Sequence, residues 1–202
     1  MRRSALLFLL AIGLSPLLLW RACKAVDARR FQGEGAVAPD EPVQRVAPGA
    51  PFLHGAVWVT PKAEFSATAR VLSAHDYRRD VDGDIVPVDL ALGWGPLSDA
   101  ALVLQMHIGQ HSRYFSWHAP SGFPLSGRTI IQSSANMHMV PATDEIRAQL
   151  LRLRRGQVVA FSGALVDISG GALNWHSSMT REDSGSYACE VVFTETLRVI
   201  AQ

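Results

Sequence analysis

Pro141-Ala-Thr-Asp-Glu-Ile-Arg-Ala-Gln-Leu150-Leu-Arg-Leu-Arg-Arg155-Gly-Gln-Val-Val-Ala160-Phe-Ser-Gly-Ala-Leu165-Val-Asp-Ile168 is the stretch that decides the fold. Thr143 stands where a helix N-cap hydroxyl is needed, with Asp144 and Glu145 following in the first turn. Ile146, Leu150 and Leu153 recur on one helical face. Arg152, Arg154 and Arg155 gather toward the end, and Gly156 supplies the stop. Residues 158–168 then read as a strand apolar on both faces, which places it centrally in a sheet. A helix therefore feeds a central strand.

Strand signals dominate on either side. In residues 65–72, Phe65, Ala67, Ala69 and Val71 share one face while Ser66, Thr68 and Arg70 share the other, a period of two. The polar turn at residues 80–84 precedes a second strand over 85–92, whose Pro87 predicts an edge or a bulge. Residues 102–108 and 114–117 read as one long strand or as a hairpin broken at Gly109. Ser169-Gly-Gly171 turns the central strand into residues 173–178, and residues 191–200 close the chain. The expected fold is mainly β: a small closed or partly open β-barrel, OB-like, with one α-helix.

The N-terminus is of another kind. Arg2 and Arg3 precede an apolar run over residues 4–20, interrupted only by Gly13, Ser15 and Pro16. At ~1.5 Å per residue such a helix spans about 25 Å, close to the ~30 Å hydrocarbon core of a bilayer. The poor cleavage site at Cys23-Lys24-Ala25 favours an uncleaved transmembrane helix over a removed signal. The expected organisation is an anchor or signal segment at 1–24, a Pro/Gly/Ala-rich linker at 25–51 and a β-barrel-like domain at 52–202. Basic residues flank the span on both sides, so the positive-inside rule does not orient it. A short N-terminus before a long translocated domain predicts a single-pass protein of the bacterial inner membrane, with its domain in the periplasm.

The net charge of +1 divides unevenly: residues 1–30 carry +5, leaving −4 to the rest. A mildly acidic domain argues against nucleic acid as a partner. Cys23 and Cys189 are the only cysteines, at opposite ends of the chain, and no disulfide framework can be read from them.

Several stretches resemble a group of uncharacterised bacterial proteins with a hydrophobic N-terminal anchor. They are Asp89-Leu-Ala-Leu-Gly-Trp94-Gly-Pro96-Leu-Ser98, Gln110-His-Ser-Arg113-Tyr114, Ser134-Ala-Asn136-Met-His138-Met-Val-Pro141-Ala, and Gly163-Ala-Leu-Val166. Trp175-His-Ser-Ser178-Met-Thr-Arg181-Glu-Asp183-Ser-Gly185 with Ala188-Cys189-Glu190 completes the set. The threonine usual before the last of these glycines is Ser184 here. The resemblance implies membership in that group and no known activity.

Candidate site residues are weighed against ordinary structural roles. Asn136 and His138 form the sharpest polar pair, as general base and orienting group or as satisfied groups of a buried loop before the helix. Cys189, beside Glu190, is a thiol nucleophile or a buried structural cysteine. Trp94 with Arg113, Tyr114, Trp117 and Trp175 would line an aromatic binding surface or anchor the core. Arg181 and Asp183 would brace their loop as a pair or hold an acidic ligand. His107, His111, His118, His138 and His176 lack the spacings of a zinc site, so no metal or other cofactor is expected. The expected function is a membrane-tethered envelope module that binds a protein partner or ligand, not an enzyme. Its binding residues would be Trp94, Arg113, Asn136, His138, Arg181 and Asp183. The alternative is a small hydrolase or thiol enzyme using Cys189, His138 and Asn136.

Overall fold

In the computed structural model the described residues are 31, 33–171, 173–183, 185 and 188–201. The expected membrane span at 4–20 and Cys23 lie outside them. Among the described residues no helix is long and apolar enough to cross a membrane.

The fold is mainly β. Ten strands follow in order: β1 (Val43–Val46), β2 (Phe52–His54), β3 (Val57–Asp76), β4 (Val88–Gly93), β5 (His107–His111), β6 (Tyr114–His118), β7 (Ser134–Pro141), β8 (Val158–Gly170), β9 (Leu173–Trp175) and β10 (Glu190–Ala201). Three short helices interrupt them: α1 (Ala100–Val103), α2 (Gly127–Gln132) and α3 (Asp144–Leu150). Five strands form a ring. β3 pairs with β4, β4 with β7, β7 with β10, β10 with β8, and β8 returns to β3. Only β7 and β10 run parallel; the other neighbours in the ring are antiparallel.

Alternation fills the ring. Phe65, Ala67, Ala69 and Val71 of β3, the predicted apolar face, point inward with Leu90 and Leu92 of β4 and Met137 and Met139 of β7. Thr143 caps α3, its hydroxyl accepting from the Ile146 amide at 3.3 Å. Ile146, Leu150 and Leu153 then seal one end of that core. The length of β3 is what closes the ring, since it is long enough to serve both β4 and β8. Bulges at residues 61–63 and 71–73 let it bend.

Several expectations are corrected. β4 begins at Val88 and pairs on both sides, so it is central and not an edge; Pro87 sits just before the ladder and loses no donor there. Residues 102–106 are not strand, and the hairpin strand starts only at His107. Asp99 accepts from the Ala101 amide at 2.8 Å and nucleates α1, so the cap prevails over alternation. The hairpin β5–β6 turns at Ser112 and Arg113, both in the left-handed region, while Gly109 lies mid-strand opposite Ser116. Three helices replace the expected one, and α3 ends at Leu150, before the arginine-rich segment. Asn136-Met137-His138 is not a loop but the middle of β7. The stretch read as a linker is partly built into the domain. β1 pairs with β3, Ala36 bridges Asp99, and Phe31 and Ala38 are buried. Proline removes only its own N–H, and the residues between prolines still offer donors and acceptors.

Candidate functional site

Asp89 and His138 are direct partners in the β4–β7 register. Because their neighbours Leu90, Met137 and Met139 point inward, both side chains point out of the ring. Asp89 is nevertheless fully buried and His138 nearly so, because the β5–β6 hairpin folds across them. Asp89 Oδ2 lies 3.0 Å from His138 Nδ1, an ion-pair distance, though the two are too far out of line for a well-formed hydrogen bond. Asp89 Oδ1 accepts from Arg113 Nη1 at 2.7 Å.

Arg113 is the clamp. It occupies the second turn position of the hairpin, at φ +67°, and its backbone amide donates to the Tyr77 hydroxyl at 2.8 Å. Its Nη2 donates to Asp82 Oδ1 at 2.7 Å and to the Val86 carbonyl at 3.0 Å. The guanidinium lies 3.7 Å from the centre of the Tyr77 ring and 5.3 Å from that of Trp175. Two carboxylates thus share one half-buried cation, and the hairpin is pinned over the strand pair.

Cys189 immediately precedes β10. The parallel register sets Val191 beside His138, so Cys189, two residues earlier, falls on the same outward face as Asn136 and His138. Asn136 Nδ2 lies 3.5 Å from Cys189 Sγ and also donates to the Arg113 carbonyl at 3.1 Å. Asn136 Oδ1 accepts from Gln110 Nε2 at 2.7 Å. The His138 ring packs against Trp175 at 4.8 Å between centres. Burial alone would lower the His138 pKa. The ion-pair contact with Asp89 and the neighbouring Cys189 sulfur outweigh it and raise the imidazole to about 9. A cleft of about 390 Å³ opens over this group, lined by Arg113, Tyr114, His138, Trp175, His176 and Cys189. Cys189 is half-buried, so the expectation of a buried structural thiol gives way to one on the wall of a cleft.

Glu190 points the other way. It pairs in register with Met137, on the inward face, is buried, and its Oε2 has no hydrogen-bond partner. Desolvation pushes its carboxyl up to about 8.

The structure brings together Arg113, Asn136 and His138 and leaves the other three candidates in different roles. Trp94 is buried in the ring core, its indole N–H donating to the Gln132 carbonyl at 3.1 Å. Arg181 and Asp183 do not brace each other. Arg181 donates to the Pro42 carbonyl at 2.9 Å, and Asp183 accepts from Ser178 Oγ at 2.7 Å. Asp183 does line a small cavity that reaches Cys189 and Asn136. Among the described residues the histidines do not converge: His107 and His118 face each other across the hairpin, while His138 and His176 line the cleft.

Sequence reasoning missed Asp89, Tyr77 and Asp82. Asp89 carried a signal: a lone carboxylate inside Val88-Asp-Leu-Ala-Leu92 must be paired if that strand is buried. Tyr77 and Asp82 had none, since their relevance comes from the hairpin folding back. No family model, curated protein or solved structure matches this chain.

Proposed function

We propose that this chain is an OB-like barrel carrying a thiol-nucleophile site, in which Cys189, His138 and Asp89 perform acyl transfer. Taking the ring strands in chain order, their order around the ring is first, second, third, fifth, fourth, with α3 between the third and fourth. The site lies on the outer face of the second and third strands. Asp82 comes from the loop between the first and second strands, and Trp175 and Cys189 from the excursion between the fourth and fifth. That is the face on which OB-folds hold ligands.

One observation carries the chemistry: His138 lies 3.0 Å from the buried Asp89 carboxylate and shares a cleft wall with the half-buried Cys189 thiol. Nucleophile, base and orienting acid so grouped are the signature of covalent catalysis. Cys189 Sγ attacks an acyl carbon, and the proton shared by the thiol–imidazole pair passes to the leaving group as the acyl bond breaks. A water then attacks the thioester, His138 takes its proton and returns it to sulfur, and a carboxylic acid leaves. Asp89 holds the imidazole in place and balances its charge. Asn136 Nδ2 supplies a donor beside the reacting sulfur.

Incubation of the full chain with 4-nitrophenyl butyrate tests this. Wild type gains the mass of one butyryl group on Cys189 and releases nitrophenolate. Cys189→Ala does neither, and His138→Asn lowers the rate at least about a hundredfold, the low end of the range for loss of general acid–base catalysis. Absence of any acyl adduct on Cys189 overturns the reading.

The second reading, partner binding without chemistry, is favoured by Tyr114 and Trp175, which present aromatic surface to the cleft beside Arg113. It predicts that Cys189→Ala binds and functions normally. In either case residues 4–20 would tether the domain to the bacterial inner membrane on its periplasmic side. Recovery of the unprocessed full chain in the soluble fraction without detergent would refute the tether.

A further inference from the structure

Cys189 faces a second cavity besides the open cleft. About 130 Å³ in volume, it shares Tyr114 and Cys189 with the cleft and is otherwise walled by Phe115, Trp117, Ile131, Ala135 and Ala188. These belong to the hairpin strand β6, helix α2, the start of β7 and the segment before β10, so four separate parts of the chain converge to enclose it. Asn136 and Asp183 supply polar edges.

We infer that this cavity is the acyl pocket of the site, and that the substrate class is an ester or thioester of a short, uncharged aliphatic acid of four or five carbons. This inference rests on the thiol-nucleophile reading. The volume sets the length: at ~30 Å³ per water-sized group, the cavity accommodates about four such groups. The walls set the polarity, since three aromatic rings and an isoleucine favour methylenes over polar tails. The Asp183 carboxylate at the edge, already engaged by Ser178 Oγ at 2.7 Å, opposes a second carboxylate at the far end of the chain. The larger cleft of about 390 Å³, which Cys189 also lines together with His138, is left for the larger, polar leaving portion. Attack then proceeds with the acyl chain in the smaller cavity and the leaving group on the side of His138, where its proton is delivered.

The test measures the pocket without requiring turnover. In a Cys23→Ser background, Cys189 of the full chain reacts with alkyl methanethiosulfonates from methyl to hexyl. Each reaction forms a mixed disulfide and releases methanesulfinate. Rates are followed by intact mass and divided by those for free cysteine. Each methylene that enters the pocket favours the reaction by roughly fourfold at most. The butyl or pentyl reagent is therefore expected to exceed the methyl reagent by about tenfold, with the hexyl falling back. Ala188→Leu, at a half-buried position in the wall, shifts the optimum to shorter chains. A flat series, a steady rise through hexyl, or an unchanged optimum in Ala188→Leu overturns the pocket assignment. The nitrophenyl ester assay fails separately: a clear length optimum with no acyl adduct removes the catalytic reading and leaves the pocket in place.

Discussion

Replacing His138 by asparagine should change the way stability depends on pH more than it changes stability itself. In the folded chain the imidazole is raised to about 9, from an ordinary value of 6.5. Between those two values the folded protein holds a proton that the unfolded chain has released. The stabilisation is therefore complete below about pH 6.5, declines as pH rises, and is gone above about pH 9. At about 1.36 kcal/mol per pH unit the difference amounts to roughly 3 kcal/mol. His138→Asn also leaves the buried Asp89 with Arg113 as its remaining charged partner, a loss of about 1–3 kcal/mol with no pH dependence over this range. Urea unfolding followed by tryptophan fluorescence at pH 6, 7.5 and 9.5 should therefore show the variant most destabilised at pH 6, and closest to wild type at pH 9.5. Because the Glu190 carboxyl feels the charge of His138, the comparison is made in a Glu190→Gln background. A difference that stays constant from pH 6 to 9.5 would refute the reasoning. So would a His138 ring-proton NMR titration with its midpoint at or below 6.5.

Glu190→Gln should stabilise the fold at high pH only. A carboxyl raised to about 8 from 4.5 costs as much as about 4–5 kcal/mol when forced to ionise, so the variant gains over wild type as pH climbs from 4.5 through 8 and matches it at pH 4, as chemical denaturation at both limits would reveal. Gly163→Ala should fail to close the ring, because its Cβ would lie 1.9 Å from the Phe193 carbonyl oxygen; a soluble variant with a melting temperature equal to wild type would contradict the β8–β10 register. Thr143→Ala removes the α3 cap and should cost about 1 kcal/mol by urea denaturation, with Cys189 labelling unchanged.

Much of the ring was legible in the sequence because it is written locally. Phe65, Ala67, Ala69 and Val71 alternate, and Thr143 announces a helix; the doubly apolar run at 158–168 can only be central. The site was legible in pieces. Arg113, Asn136 and His138 stood out as polar residues in unusual company, but their assembly depends on the hairpin β5–β6 folding over β4 and β7. That depends on Ser112 and Arg113 adopting left-handed backbone, which neither residue type advertises. Trp94 misled for the opposite reason. Gly-Pro after a tryptophan looks like an exposed turn, yet the indole turns inward and its N–H finds the Gln132 carbonyl. Residues 36–46 misled because proline-rich composition hides pairing that only a long neighbouring strand makes possible.

If Cys189 is the nucleophile proposed above, the parallel pairing of β7 with β10 also governs when its thiol becomes reactive. Asp89 and His138 meet through an antiparallel pair that needs nothing beyond β7, whereas Cys189 joins them only when β10 docks from more than fifty residues later in the chain. Contacts of such separation form late in folding. An incompletely folded chain would therefore hold the histidine–carboxylate pair without its sulfur, and carry a cysteine no more reactive than any other. Alkylation of Cys189 during refolding would then serve as a clock for the closing of the ring, and a chain arrested before that moment would be chemically silent.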